Sequence, residues 1–335
     1  MSFEKRLSDI RSLKTQGATN VAVSGIEALK EFSSSIKSKN GRQYLEKLSK
    51  AAAKISNVRS TEPMLRNFLN YVMIGLKDSD LSNVKRLKLL TKQLSGNVIR
   101  LKSNAKQRLV EIGKNEVKNN SILYTHCHSS SVTSILIAAK KSGKKFSVIN
   151  TETRPMFQGR LTANELSKAK IKLTHYVDSG MRLAIKKSDA VFLGADSISA
   201  LGVDNKIGSG LVCELAKNYD VPVFICAHSF KINPLSLLGK EDSIEQRPSS
   251  EVWQKAPKGV KIENPSFELN AALLSRCQVV VFESLSLSQM RQLIDRTKIA
   301  LAPETRDALV TLADGDARAC GKRRGVCQTL TLAYP

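Results

Sequence analysis

Cys127 stands between His126 and His128, and the serines at positions 129–131 follow. This spacing allows three interpretations: a metal site, a nucleophile, or a polar strand end. Metal ligands must converge on one point, but side chains two residues apart on a strand point to opposite faces. The six cysteines, at positions 127, 213, 226, 277, 320 and 327, also lack the C-x-x-C spacing of zinc sites. We therefore expect no metal here and a free thiol at Cys127.

Other polar side chains follow short apolar runs elsewhere in the chain. Arginine forks match phosphate groups, and the serines after Cys127 would begin a helix whose free N–H groups suit an anion. One thiol, one or two carboxylates and several cations together suit proton transfer on a phosphorylated substrate. Each residue alone could be structural, since an Asp at such a turn is more often a helix cap. The polar residues that follow these apolar runs are Glu152, Arg154, Gln158, Arg160, Asp196, Asn205, Lys206 and Lys231.

The elements that must position these residues are strands alternating with helices. The runs SILYTH, KFSVINTE, KLTHYV, AVFLGA and VPVFICA have strand length, and helical stretches such as SVTSILIAAKKSGK and GSGLVCELAKNYD separate them. This alternation predicts βαβ units and a mostly parallel sheet covered on both faces. Ligands bind beyond the carboxyl ends of such strands, so one edge of the sheet should collect the polar residues.

Before residue 118 the apolar residues follow a different spacing. Apolar residues recur there at helical spacing, as in Leu65, Phe68, Leu69, Val72 and Met73, and few β-branched runs interrupt them. The spacing predicts five or six helices, the last of them long. We expect a helical domain at residues 1–118 and an α/β domain at residues 119–261.

The chain carries a formal net charge of +23, and residues 1–120 alone contain 24 Lys and Arg against 10 Asp and Glu. This surplus favours a polyanionic partner, either a phosphorylated metabolite or a nucleic acid, or else forms a solvated basic surface. Aromatic residues make up only 5% and do not alternate with basic ones, so base stacking gains no support. The charged beginning and the lack of a long apolar run predict a cytoplasmic protein with reduced thiols and no membrane partner.

Three longer stretches are distinctive: NTETRPMFQGRLTANEL, YVDSGMRLAIKKSDAVFLGADSI and NKIGSGLVCELAKNYDVPVFICAHSFKINP. They resemble the translation initiation factor 2B alpha/beta/delta family, which includes the archaeal ribose-1,5-bisphosphate isomerases and the methylthioribose-1-phosphate isomerases. The resemblance covers about residues 8–263. It implies an N-terminal helical domain followed by a Rossmann-like α/β domain.

The isomerases of this family keep a Cys and an Asp that match Cys127 and Asp196. The resemblance thus implies an aldose–ketose isomerase of nucleotide salvage, which converts ribose 1,5-bisphosphate to ribulose 1,5-bisphosphate without metal or cofactor. It implies a homo-oligomer, either a dimer or a hexamer. The alternative is a non-catalytic regulator that binds sugar phosphate or nucleotide and the translation initiation factor 2 machinery. The implied substrate contacts are Gly17, Arg59, Ser129, Arg154, Gln158, Gly159, Asn205, Lys206 and Lys231.

The chain departs from the isomerase pattern at two positions. Gln16 stands where the isomerases have an arginine that binds phosphate, and His128 stands where they favour Asn. Both positions bear on which sugar is turned over.

Residues 262–335 form an atypical C-terminal segment. Residues 262–320 resemble the sensor-1 and lid region of a replication-associated recombination AAA+ ATPase, in which Arg276 would be an arginine finger and Arg318 a lid arginine. The chain has no G-x-x-x-x-G-K-[ST] loop to hold ATP. One hypothesis is that these residues are a foreign or truncated tail, and that the family's last strand and its dimer contacts are lost. The alternative is that CQVVVFESL supplies this strand whatever its origin.

Overall fold

The N-terminal part of the chain is helical, as the apolar spacing predicts. The computed structural model describes residues 3–12, 14–15, 17–59, 61–77, 79–238, 244–270 and 278–280. Within these residues five helices precede the first strand: α1 (Phe3–Arg11), α2 (Ala18–Ser35), α3 (Gly41–Val58), α4 (Pro63–Lys77) and α5 (Val84–Glu116).

The apolar stripes of these five helices pack into one core. Gly25 brings α2 close to α4, because a Cβ at this position would overlap the side chain of Leu65. The buried hydroxyl of Tyr44 on α3 lies 2.7 Å from Ser33 Oγ on α2 and 2.8 Å from Thr91 Oγ1 on α5. These bonds satisfy polar groups inside the core and link three helices.

A mixed α/β part follows, in which helices cover a parallel sheet. Its helices are α6 (Ser130–Lys141), α7 (Gln158–Lys168), α8 (Met181–Ile185) and α9 (Ser209–Asn218). The sheet has the order β3-β2-β1-β4-β7-β9, and every neighbouring pair is parallel. Its strands are β1 (Ser121–Thr125), β2 (Phe146–Thr151), β3 (Lys172–Tyr176), β4 (Ala190–Leu193), β7 (Val223–Cys226) and β9 (Gln278–Val280). The predicted fold class, α/β with a helical N-terminal part and a mostly parallel sheet, is confirmed.

The strand order reverses direction between β1 and β4. From β1 the chain builds outward through β2 and β3, then returns to place β4 on the other side of β1. Such a reversal is the topological switch point of a doubly wound sheet, and it opens a crevice beyond the strand ends.

A small antiparallel sheet was not expected from the sequence. It consists of β5 (Ser197–Ile198), β6 (Val203–Lys206) and β8 (Phe267–Asn270), in the order β5-β6-β8. Its strands have two to four residues, and β6 reads VDNK. Strands this short and polar lack the apolar run that marks a strand in a sequence.

The segment after residue 261 contributes a strand to each sheet. β8 pairs with β6, and β9 pairs with β7 at the edge of the large sheet. Since Gln278–Val280 belong to CQVVVFESL, this pairing favours the alternative in which that stretch supplies the last strand. All described residues fall within one compact unit. The division into domains at residues 118 and 261 stays a prediction.

Among the described residues, none of the helices combines the length and the apolar character that a membrane crossing requires.

Candidate functional site

Cys127 and Asp196 follow the two strands that flank the switch point. Cys127 comes two residues after the end of β1, and Asp196 comes three residues after the end of β4. These strands are neighbours, with Leu123 paired to Ala190 and Tyr124 to Val191. The topology therefore brings together two side chains that are far apart in the sequence.

The loop after β1 holds Cys127 in a left-handed backbone conformation, with φ at 63°. Its N–H donates to Thr153 Oγ1 over 3.0 Å, and its carbonyl accepts from Thr162 Oγ1 over 2.8 Å. Its thiol donates to Gln158 Oε1, with the sulfur 3.6 Å away. Threonines on two segments thus fix the backbone, which offsets the cost of a positive φ at a residue with a side chain.

Burial raises the pKa of the Cys127 thiol to about 12. The backbone N–H of His128 and the positive charge of Lys206 lower this pKa, whereas the charges of Asp196 and Asp178 raise it. The thiol is therefore protonated at neutral pH. The positive charge of the buried Lys206 favours the thiolate form of Cys127.

Asp196 faces a lysine at the same edge of the sheet. Its Oδ1 lies 3.8 Å from Lys231 Nζ, and the two side chains are 26% and 11% exposed. The Asp196 backbone N–H donates to the carbonyl of Asp204, which ties the residue to β6. A partly exposed carboxylate beside a largely buried cation can exchange a proton with a ligand in the crevice.

The turn between β2 and α7 contacts Cys127 through Thr153 and Gln158. Asp178, after β3, accepts from the backbone N–H groups of Thr153 (2.9 Å) and Arg154 (2.7 Å). Gly159 lies so close to β2 that a Cβ there would overlap the carbonyl oxygen of Thr151. Only glycine allows this approach, which places Gln158 against Cys127.

Three further expected contacts lie around this edge. Ser129 is the N-cap of α6, and its Oγ accepts from Val132 N over 3.4 Å. Gly194 packs against it, since a Cβ on Gly194 would lie 2.6 Å from Ser129 Oγ. Asn205 and Lys206 are buried in β6, and Asn205 Nδ2 donates to Ser209 Oγ at the start of α9.

Two expected contacts are less closely tied to the thiol. Arg154 turns its guanidinium to the carbonyl of Val252 (3.1 Å) and over the ring of Phe157. Gly17, with φ at 81°, is the N-cap of α2, and no described contact joins it to the residues above. Gln16 lies outside the described residues.

Arg59 reaches the site from the end of α3, and it brings in two acidic residues that the motifs did not single out. Its Nη2 lies 2.6 Å from Glu245 Oε2 and 3.7 Å from Glu62 Oε1. Glu62 is 2% exposed. The signal in the sequence was the spacing of three residues between Arg59 and Glu62, but nothing local indicates that this glutamate is buried.

The histidines beside Cys127 make hydrogen bonds to the protein. His126 Nδ1 lies 3.1 Å from Thr151 Oγ1, and its Nε2 lies 2.9 Å from the carbonyl oxygen of Ile207. His128 Nδ1 lies 3.1 Å from Thr162 Oγ1. Across the part of the chain that the structure describes, no group of three His, Cys, Asp or Glu side chains could hold a metal ion.

Comparison with known proteins identifies the family. The sequence model of the initiation factor 2 subunit family matches residues 14–275, which include every candidate site residue named above. The chain belongs to this family. The match ends at residue 275, and the resemblance of residues 262–320 to an AAA+ ATPase gains no support. Arg276 and Arg318, the two residues on which that resemblance depended, lie outside the described residues.

Curated members of the initiation factor 2 subunit family that resemble this chain are named as enzymes. The ribose 1,5-bisphosphate isomerase of Pyrococcus furiosus is 35% identical over 268 residues, which cover 78% of this chain and 83% of that protein. The protein of the same name from Archaeoglobus fulgidus is 35% identical over 266 residues, covering 78% and 82%. These relatives favour the isomerase interpretation over the regulatory one.

Solved structures share the fold. The 5-methylthioribose 1-phosphate isomerase of Pyrococcus horikoshii OT3 has a TM-score of 0.67 at 25% identity, over 80% of each chain. A chain of the tetrameric eIF2B-beta2-delta2 complex from C. thermophilum has a TM-score of 0.70 at 15% identity, over 84% of this chain and 89% of that one. The second likeness, at this low identity, concerns the fold alone.

Proposed function

We propose that this protein is an aldose–ketose isomerase that converts ribose 1,5-bisphosphate to ribulose 1,5-bisphosphate. The observation that carries the proposal is the juxtaposition of Cys127 and Asp196 at the switch point, where the charge of Asp196 acts on the thiol. Relatives named for this reaction support it.

The reaction needs proton transfers and no net oxidation. A base removes the proton from C2 while the bond between C1 and the ring oxygen breaks, and that oxygen gains a proton. The resulting enol then gains a proton at C1 and loses the proton of its C2 hydroxyl, which gives the ketone. Two protons leave the sugar and two return.

The Cys127 thiol first gives its proton to the Asp196 carboxylate. The thiolate then takes the proton from C2 and returns it to C1, while Asp196 protonates the ring oxygen and takes the proton of the C2 hydroxyl. Lys206 favours the thiolate by its charge, and Lys231 lies beside the Asp196 carboxylate. A thiolate is a strong base in this setting because burial raises the pKa of Cys127 to about 12. Binding of substrate would exclude water, which strengthens the effect of these charges.

Substrate phosphates would bind at the helix start after Cys127 and among the cations of the strand ends. Ser129 opens α6, whose first N–H groups suit an anion. The buried Lys206 and the partly buried Arg59 and Lys231 add positive charge. The full set of proposed contacts is Gly17, Arg59, Ser129, Arg154, Gln158, Gly159, Asn205, Lys206 and Lys231.

A direct assay tests this function. The protein is incubated with ribose 1,5-bisphosphate, and formation of the ketose is followed. Cys127→Ser and Asp196→Asn should each lower kcat by about 100-fold or more, the usual contribution of a positioned acid or base. Cys226→Ser is the matched control, since Cys226 is also a buried thiol whose pKa burial raises to about 12.

Turnover that is unchanged in Cys127→Ser and Asp196→Asn would contradict the assigned roles. Binding of the bisphosphate without turnover would favour the regulatory alternative. Conversion of methylthioribose 1-phosphate in preference to the bisphosphate would move the assignment to the other isomerase reaction.

We further infer that the protein assembles as a homo-oligomer. The family resemblance of the sequence supports this inference, since it implies a dimer or a hexamer. Sedimentation analysis of the full chain would distinguish a monomer, which contradicts this inference, from a dimer or a hexamer.

A further inference from the structure

Glu62 is a buried acid with an unused hydrogen-bonding atom. It directly precedes α4 and is 2% exposed. Its Oε1 lies 3.7 Å from Arg59 Nη2, whereas its Oε2 has no hydrogen-bond partner among the described residues. A buried carboxylate oxygen without a protein partner is costly unless a ligand, an ion or a water molecule binds it.

Four charged groups act on Glu62. They are Arg59 at the end of α3, Asp196 after β4, Lys231 after β7, and Glu245 in the segment before β8. Arg59 contacts Glu245 over 2.6 Å, and Lys231 lies 3.8 Å from Asp196. With Glu62 ionised, Arg59 and Lys231 face three carboxylates, of which Glu245 also lies 3.6 Å from Arg247 Nη1.

Helix α4 also holds the turn that carries Lys231. Asn67 Nδ2 donates to the carbonyl oxygens of Phe230 (3.0 Å) and Ile232 (2.8 Å), which lie on either side of Lys231. Phe68 packs edge-on against the ring of Phe230, with centroids 5.1 Å apart. The beginning of α4 and the base of the Lys231 side chain are therefore fixed relative to each other.

We propose that Glu62 is a positioning residue of this site, whose carboxyl decides whether Arg59 and Lys231 are available to an anionic ligand. This inference rests on the proposed function, because it takes the ligand to be a sugar phosphate. With Glu62 protonated, Arg59 and Lys231 face one carboxylate each. With Glu62 ionised, a second carboxylate attracts both cations away from the crevice.

The charge state of Glu62 changes in the physiological range. Burial and the negative charge of Asp196 raise the pKa of Glu62 to about 7, while Lys231 and Arg59 act against this rise. Glu62 therefore carries its proton below this pH and loses it above. Affinity for an anion at Arg59 and Lys231 should fall as the pH rises through this range.

Sulfate is the probe, because its charge does not change between about pH 6 and about pH 8.5. Calorimetric titration should show that sulfate affinity of the wild type falls by about threefold to tenfold across this range, the effect expected of a nearby buried charge. Glu62→Gln should bind sulfate equally well at both pH values. Glu245→Gln removes a different carboxylate from Arg59 and should keep the pH dependence.

The variant Lys231→Met distinguishes sulfate bound at this site from sulfate bound elsewhere on the basic surface. It should reduce the pH-dependent part of sulfate binding to the share that Arg59 contributes. The comparison of wild type with Lys231→Met needs no change at Glu62, so it decides the question even where Glu62→Gln does not fold.

The same pH dependence in Glu62→Gln as in the wild type would overturn the proposal. So would a pH-dependent part that is as large in Lys231→Met as in the wild type, or sulfate affinity of the wild type that does not change with pH. None of these measurements needs turnover. A protein that fails to convert ribose 1,5-bisphosphate yet shows the expected sulfate binding would overturn the proposed function and keep the inference about Glu62.

Discussion

The chemistry of single residues here depends on which charges surround a buried group. Cys127 and Cys226 are both buried thiols, and burial raises the pKa of each to about 12. Burial raises the pKa of Cys226, whereas the pKa of Cys127 also depends on Lys206, Asp196 and the N–H of His128. This difference separates a packed thiol from one that can be tuned for proton transfer.

The rate of alkylation of Cys127 should report these charges. Asp196→Asn removes a charge that raises the pKa of Cys127, so more thiolate forms at a given pH and alkylation is faster. Lys206→Met removes a charge that lowers this pKa, so alkylation is slower. We expect changes of about twofold to tenfold in opposite directions, followed by mass spectrometry of the iodoacetamide-labelled peptide.

The peptide that contains Cys226 provides the internal control for this experiment. Its labelling rate should be the same in all three proteins. Equal rates at Cys127 in the wild type and both variants would contradict the electrostatic description of the site.

At the level of elements, close approaches of the backbone set the positions of the side chains to which we assign the proposed reaction. Gly159, the second residue of α7, lies against the end of β2, and Asn150 Nδ2 donates to its carbonyl over 2.7 Å. Gly194 lets the end of β4 lie against Ser129 at the start of α6. Both glycines are conspicuous in the sequence only as loop residues, because the atoms they approach belong to other segments.

Two Gly→Ala substitutions should have opposite effects on stability. Gly159→Ala would place a methyl group on the carbonyl of Thr151, and we expect the free energy of unfolding to fall by about 3 kcal/mol. Gly96→Ala lies within α5, where a Cβ meets nothing within 4 Å, so alanine should raise this free energy by about 0.5–1 kcal/mol. Urea unfolding of the two variants measures both values.

A Gly159→Ala protein as stable as the wild type would show that the turn before α7 can move away from β2. The Gly96→Ala result then tells whether the measurement resolves changes of this size.

For the whole molecule, the sheet is completed by residues far along the chain. β8 and β9 both come from the segment after residue 261, and they pair with β6 and β7. A chain that ends at 261 would leave β7 as an exposed edge and β6 without a partner on one side. The last strands therefore belong to the same folding unit as the site.

Two truncations test this statement. The chain 1–281 should retain cooperative unfolding, since it keeps both strands and corresponds to the first compact unit. The chain 1–261 should unfold at lower temperature, with a broader transition and a tendency to aggregate. Thermal unfolding monitored by circular dichroism distinguishes them, and equal melting curves would mean that β8 and β9 contribute nothing to stability.

The sequence predicted the features that depend on local pattern. The helical stripe before residue 118 and the alternation of strand and helix after it are periodicities of neighbouring residues, so they can be read without a structure. The rule that ligands bind at strand ends then selected Cys127, Asp196 and Lys231. The small antiparallel sheet was missed because strands such as VDNK carry no such periodicity.

Only the tertiary structure decided which of these residues act on one another. The strand order places β4 beside β1, and this neighbourhood brings the charge of Asp196 to the thiol of Cys127. The burial of Glu62 between Arg59, Asp196 and Lys231 likewise depends on how α4 packs against the turn after β7. Desolvation and electrostatic interaction depend on distances through space, and the sequence specifies those only through the complete fold.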